Sequence, residues 1–99
     1  MSLPTVISES AESDLQSAFD WYEQQKAGLG HSFLLHVQQA FDRITEHPVS
    51  FPEVHRAARR ALVDRFPYAI FYAVESTFVD VIAVMHTHRH ARQWRNRVK

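Results

Sequence analysis

Three histidines, His86, His88 and His90, alternate near the C-terminal end of this 99-residue chain. Alternate residues of a strand project to one side, so three imidazoles at i, i+2 and i+4 can converge. A trio of this kind binds zinc and leaves a position open for water. His90 falls past the expected strand, however, and no carboxylate lies close in sequence to orient the rings. Neither a metal site nor a cofactor is therefore expected. Arginine is the other reactive-looking type: Arg59, Arg60 and Arg65 precede the strongest apolar run, and Arg89, Arg92, Arg95 and Arg97 follow the last one. The planar guanidinium fork suits phosphate or carboxylate, and the scarcity of lysine here indicates that geometry matters more than bulk charge. Taken singly, each arginine reads as a solvated sheet edge where charge discourages pairing. As a group they read as a binding face, and Trp94 lies among them.

Several chemistries are excluded by residue type. The chain has no cysteine, which removes disulfides, thiolate metal sites and thiol nucleophiles, and is compatible with a reducing cytoplasm. Its only glycines are Gly28 and Gly30, too few for a phosphate-cradling loop. Neither Ser50 nor Ser76 sits in a nucleophile elbow. The Arg-rich half offers no carboxylate pair of the glycosidase kind. A metal-independent ribonuclease needs cations to stabilise a phosphorane and a histidine to move protons, and both residue types are present.

The formal net charge is zero, but it is unevenly spread. Residues 1–50 carry seven carboxylates against Lys26 and Arg43, for −5; residues 51–99 carry eight arginines and Lys99 against four carboxylates, for +5. This asymmetry points to an anionic partner for the basic half or to attraction between the halves within one fold.

The elements that must position these groups follow from periodicity. Pro4–Ile7 reads as a short strand, and Ser8 or Ser10 as the cap of a helix whose apolar face is Ala11, Leu15, Ala18, Phe19 and Tyr22. Gly28 and Gly30 punctuate its end. A second helix carries Phe33, Val37, Ala40, Phe41 and Ile44 and stops at His47-Pro48. Arg59–Phe66, Tyr68–Val74 and Phe78–Met85 read as three strands. The middle one is apolar on both faces, as a central strand is. Glu75–Thr77 forms the turn between the last two. The expected fold is α+β in the order β-α-α-β-β-β, a helical hairpin packed on a small antiparallel sheet, in a single domain over residues 1–99. No apolar run approaches the roughly 20 residues that span a bilayer, and no signal peptide is visible. A soluble domain is expected, with no membrane partner.

The stretches RRALVDRFPYAIFY (59–72) and VDVIAVMHTHRH (79–90) resemble the RelE/ParE toxin superfamily. So does the N-terminal strand followed by AESDLQSAFDWYEQQKAGLG and a second helix ending at His47-Pro48. The resemblance covers nearly the whole chain. It implies the toxin of a type II toxin–antitoxin pair, made in a prokaryotic cytoplasm, inhibiting growth, serving in plasmid stabilisation and neutralised by a cognate antitoxin. RelE-like members cut mRNA on the ribosome with a basic set of Lys, Arg, His and often a C-terminal Tyr; Arg59, Arg65, His86 or His88, and Arg89 match its basic positions. ParE-like members lack that set and inhibit DNA gyrase. No lysine occurs here between Lys26 and Lys99 and no tyrosine after Tyr72, so the resemblance favours the ParE-like activity: binding a protein target rather than cutting RNA. The alternative is a ribosome-dependent endoribonuclease using Arg65, His86, His88 and Arg89. The expected target- and antitoxin-binding residues are Arg59, Arg60, Arg65, His88, Arg89, Arg92 and Trp94.

Overall fold

A computed structural model describes residues 3–89 and 91–98. The chain runs β1 (Thr5–Ile7), α1 (Glu9–Gln25), α2 (Leu29–Glu46), β2 (Glu53–His55), β3 (Ala58–Leu62), β4 (Tyr68–Val74), β5 (Val79–His86) and α3 (Arg92–Arg95). Helix α1 starts where expected because the Ser8 hydroxyl accepts from the Ala11 amide at 3.1 Å. Glu9 and Glu12 lie in its first turn, at the positive end of the helix dipole. Gly28 adopts φ +90°, a left-handed conformation that closes the three-residue link to α2. Since glycine offers α2 no side-chain cap, Glu23 of α1 supplies the acceptor. Its carboxylate takes the Gly28 and Gly30 amides at 3.2 and 2.8 Å. These bonds, Gly28's first, hold the Glu23 carboxyl below the usual range.

The strands form one sheet in the order β1-β5-β4-β3-β2. Neighbours are antiparallel except β1, which runs parallel to β5 and pairs Thr5 to Ile7 with Val79 to Val81. The three strands read from sequence thus pair antiparallel as expected, and the sheet is mixed because the helical hairpin carries the chain across it and allows β1 to lie along β5 in the same direction. Two boundaries differ. Residues 53–55 add a fifth strand, too short and too irregular in register to be read from alternation. Strand β3 stops at Leu62 because Asp64–Pro67 forms a loop, with Arg65 at φ 68° and Pro67 lacking an amide donor.

Both faces of the sheet are covered. Helices α1 and α2 bury Ala61, Val63, Ile70, Tyr72, Val79, Val81 and Val84. On the opposite face, helix-free apart from the four-residue α3, Ala58, Ala69, Phe71, Ile82, Ala83 and Met85 pack with Trp94. The register shifts between Phe71 and Tyr72, so that Phe71 opposes Ala83 and Tyr72 opposes Val81. This bulge leaves Ile82 unpaired and places it beside Ala83 on the helix-free face, which is how consecutive apolar residues of β5 serve two cores.

Candidate binding face

The candidate groups gather at one end of the sheet. Tyr68 pairs with His86, and the Thr87 amide donates to the Pro67 carbonyl at 2.8 Å. The β3–β4 loop bearing Arg65 therefore abuts the turn that bears His88 and Arg89. Arg60 pairs with Phe71 and so belongs to the helix-free face, over which α3 lays Arg92, Trp94 and Arg95.

The histidines do not form the converging trio that alternation allows. Strand geometry ends at His86, and residues 87–89 turn. The His88 amide donates to His86 Nδ1 at 3.1 Å, and the two rings meet edge to face at 5.2 Å. With Nδ1 accepting, neutral His86 carries its proton on Nε2. His90 lies outside the described residues, and among those described no group of three His, Cys, Asp or Glu is placed to hold a metal.

Of the arginines singled out in the sequence, Arg59 and Arg97 are tied into the fold by hydrogen bonds to distant segments. Arg59 donates to the carbonyls of Val49 and Phe51 at 3.1 and 2.6 Å and lies 3.8 Å from Glu53, so it ties the α2–β2 loop to β3. Tyr72 reinforces that tie by donating to the Pro48 carbonyl at 2.6 Å; burial pushes its hydroxyl up to about 12. Arg97 makes a two-pronged contact with Asp14 of α1 at 2.7 and 3.2 Å and donates to the Ile82 carbonyl. Asp14 also accepts from the Val84 amide at 3.0 Å. Together they satisfy β5 just beyond the point where β1 stops pairing with it. Sequence reading missed this pair, although Asp14 falls on the apolar stripe between Ala11 and Ala18, a place where a carboxylate needs a partner. Trp94 is 5% exposed and stacks on Phe71, with ring centres 4.0 Å apart and planes 15° apart. The indole is therefore buried against the sheet, where it anchors α3.

The remaining cations face outward. Among the described residues Arg56, Arg60, Arg65, Arg89 and Arg95 have no carboxylate within 4 Å; Arg89 donates to Gln93 at 3.2 Å, and Arg95 lies 5.7 Å from the Trp94 ring centre. Among the described residues two ion pairs join the halves of the chain, Arg43–Asp64 and Arg97–Asp14, but only the second pairs an excess carboxylate of the acidic half with an excess arginine of the basic half. Attraction between the halves thus accounts for little of the charge asymmetry and leaves a cationic end.

Two depressions flank this end. A groove of about 930 Å³ runs between α1 and the last residues of β5, over Trp21, Tyr22, Tyr68, Val84 and Met85, with His88 and Arg89 at its rim. A smaller pocket of about 200 Å³ lies on the helix-free face, where Arg60, Arg89 and Arg95 surround Phe71 and Trp94. Nearby, His55 is partly buried, and this desolvation, followed by Arg95 and Arg56, holds its pKa below the ordinary histidine value.

Comparison with known proteins agrees with this architecture. A family model described as the ParE toxin of type II toxin–antitoxin systems, parDE, matches residues 6–91. Among solved structures, a chain described as the chromosomal ParDE toxin–antitoxin system from P. aeruginosa superposes with a TM-score of 0.65 at 14% identity, covering 85% of this chain and 95% of that one. No curated protein matches significantly by sequence. With the helical hairpin, the mixed sheet and a family match spanning most of its length, the chain belongs to the ParE toxin family of type II toxin–antitoxin systems.

Proposed function

We propose that this protein inhibits growth by gripping a protein target such as DNA gyrase, and that a cognate antitoxin neutralises it in the cytoplasm. The observation that carries this reading is the cationic end, where Arg60, Arg65, Arg89 and Arg95 stand without a carboxylate among the described residues. Guanidinium groups held on a rigid sheet end suit the acidic surface of a partner, and such charges act mainly on the rate and specificity of encounter. His88 and Arg92 extend the same surface, and Arg59 and Trp94 support it from within.

The groove between α1 and β5 suits the antitoxin. Its floor is apolar, Trp21 is 55% exposed there, and its rim is basic. An acidic, amphipathic segment that folds on binding fits these properties and screens the neighbouring arginines.

Two assays on the induced chain decide the activity. Inhibition of gyrase supercoiling by the purified protein, with no new ends on translated mRNA by primer extension, is the expected outcome. The competing reading, a ribosome-dependent endoribonuclease, is favoured by the neighbouring His86, His88 and Arg89. Codon-specific cuts abolished by Arg65→Ala or His88→Ala would establish it and overturn the gyrase assignment.

A further inference from the structure

The pocket on the helix-free face has properties that gripping a protein target does not require. Three elements each contribute one arginine to its lining: Arg60 from β3, Arg89 from the turn after β5, and Arg95 from α3. Among the described residues its lining contains no acidic one, and Phe71 and the stacked Trp94 give it a rigid apolar side. At about 200 Å³ it is smaller than the roughly 300–1,000 Å³ of pockets that enclose drug-sized ligands. A compact anion or the end of a larger molecule fits; a helix does not.

We propose that the Arg60–Arg89–Arg95 pocket is a binding site for a phosphoryl group. The number of forks decides between anions. A carboxylate presents two oxygens and one charge, which a single guanidinium already satisfies in bidentate fashion. A phosphate monoester or free phosphate presents three or four acceptor oxygens and up to two charges, which suits a pocket lined by arginines of three separate elements. Arg95, whose charge comes next after burial in holding the nearby His55 below its ordinary value, lies in the lining. The three arginines also belong to the proposed target face, and phosphate binding is read on the free chain, without any target present.

The test is titration of the full chain at constant ionic strength with inorganic phosphate, adenosine 5′-monophosphate and acetate. Trp94 fluorescence is followed in a Trp21→Phe background, which leaves one indole. Saturable phosphate binding is expected, with Arg60→Gln, Arg89→Gln or Arg95→Gln each weakening it about tenfold, the loss of one charge-assisted hydrogen bond. Arg56→Gln, outside the lining, is expected to leave affinity unchanged, and bound phosphate is expected to raise the His55 pKa read by NMR. Tighter binding of the nucleotide identifies a phosphorylated molecule as the natural ligand, and equal affinities identify the free ion. If Arg95→Gln disturbs Trp94 packing, the Arg60 and Arg89 variants carry the test. Equal displacement by acetate, a loss in Arg56→Gln as large as in Arg60→Gln, or no saturation would overturn the proposal.

Discussion

Asp14 lies on the apolar stripe of α1, where an unpaired carboxylate would be costly to desolvate. Arg97, the Val84 amide and the Ile82 carbonyl convert it into the centre of a clamp between α1, β5 and the C-terminal segment. With Asp14 and Arg97 side chains only 15% and 27% exposed, Asp14→Ala is expected to lower unfolding free energy by about 2 kcal/mol. The double variant with Arg97→Ala should lose less than the sum of the singles, as urea midpoints would reveal. Tyr72 supplies a pH dependence at the same scale. Its pKa is raised from 10.0 to about 12, so the fold favours the protonated hydroxyl. That stability is complete below the unfolded value and is lost as pH rises from 10 towards 12. Tyr72→Phe is expected to cost about 1 kcal/mol at neutral pH and to remove its share of this alkaline loss. Arg65 offers the opposite sign. Held at φ 68°, it bears backbone strain that glycine does not, so Arg65→Gly should be neutral or stabilising by up to about 1 kcal/mol. Any loss of toxicity in that variant, with its melting temperature maintained, would report the charge rather than the fold.

At the scale of elements, α3 is four residues long and far below the length at which a helix is stable alone. Trp94 stacked on Phe71 holds it, and through it the cations on the helix-free face. Trp94→Ala is expected to cost about 3–5 kcal/mol and to raise hydrogen exchange selectively in residues 91–98 if the segment detaches before the rest unfolds. The helical hairpin depends on a different close approach. A Cβ on Gly30 would meet Glu23 Cγ at 2.7 Å and the Phe19 carbonyl oxygen at 2.8 Å. Gly30→Ala should therefore separate α1 from α2 and lower stability by about 1–3 kcal/mol, measurable by thermal unfolding. The two helices were legible in the sequence because each carries a long apolar stripe at regular spacing. Strand β2 was not, since three residues give no period and its pairing depends on Arg59 and Tyr72 pinning the loop before it.

For the molecule as a whole, the charge asymmetry divides into an internal and an external share. The Arg97–Asp14 pair is the internal share, one excess charge from each half, and the cations left at the sheet end remain for partners. Salt should consequently slow association with the antitoxin much more than it shifts the toxin's own melting temperature, because screening acts on exposed charges approaching from a distance. Stopped-flow association across an ionic-strength series reads this directly. Equal rates at low and high salt would mean that the groove, and not the arginines, governs encounter.

Composition and periodicity by themselves determined the α+β class, the helical hairpin, the double-sided central strand and the presence of surplus arginine in the second half. These are local or additive properties, readable wherever a pattern repeats along several turns or residues. Only the tertiary structure decided which arginines face a partner. Arg59 and Arg60 are adjacent in sequence, yet the strand period sends one to the loop carbonyls and the other to the helix-free pocket. Arg95 and Arg97 are two residues apart, and the fold assigns one to Trp94 and the other to Asp14, 83 positions away. Partners at such separations leave no periodic trace, because chain folding rather than spacing brings them within hydrogen-bond distance.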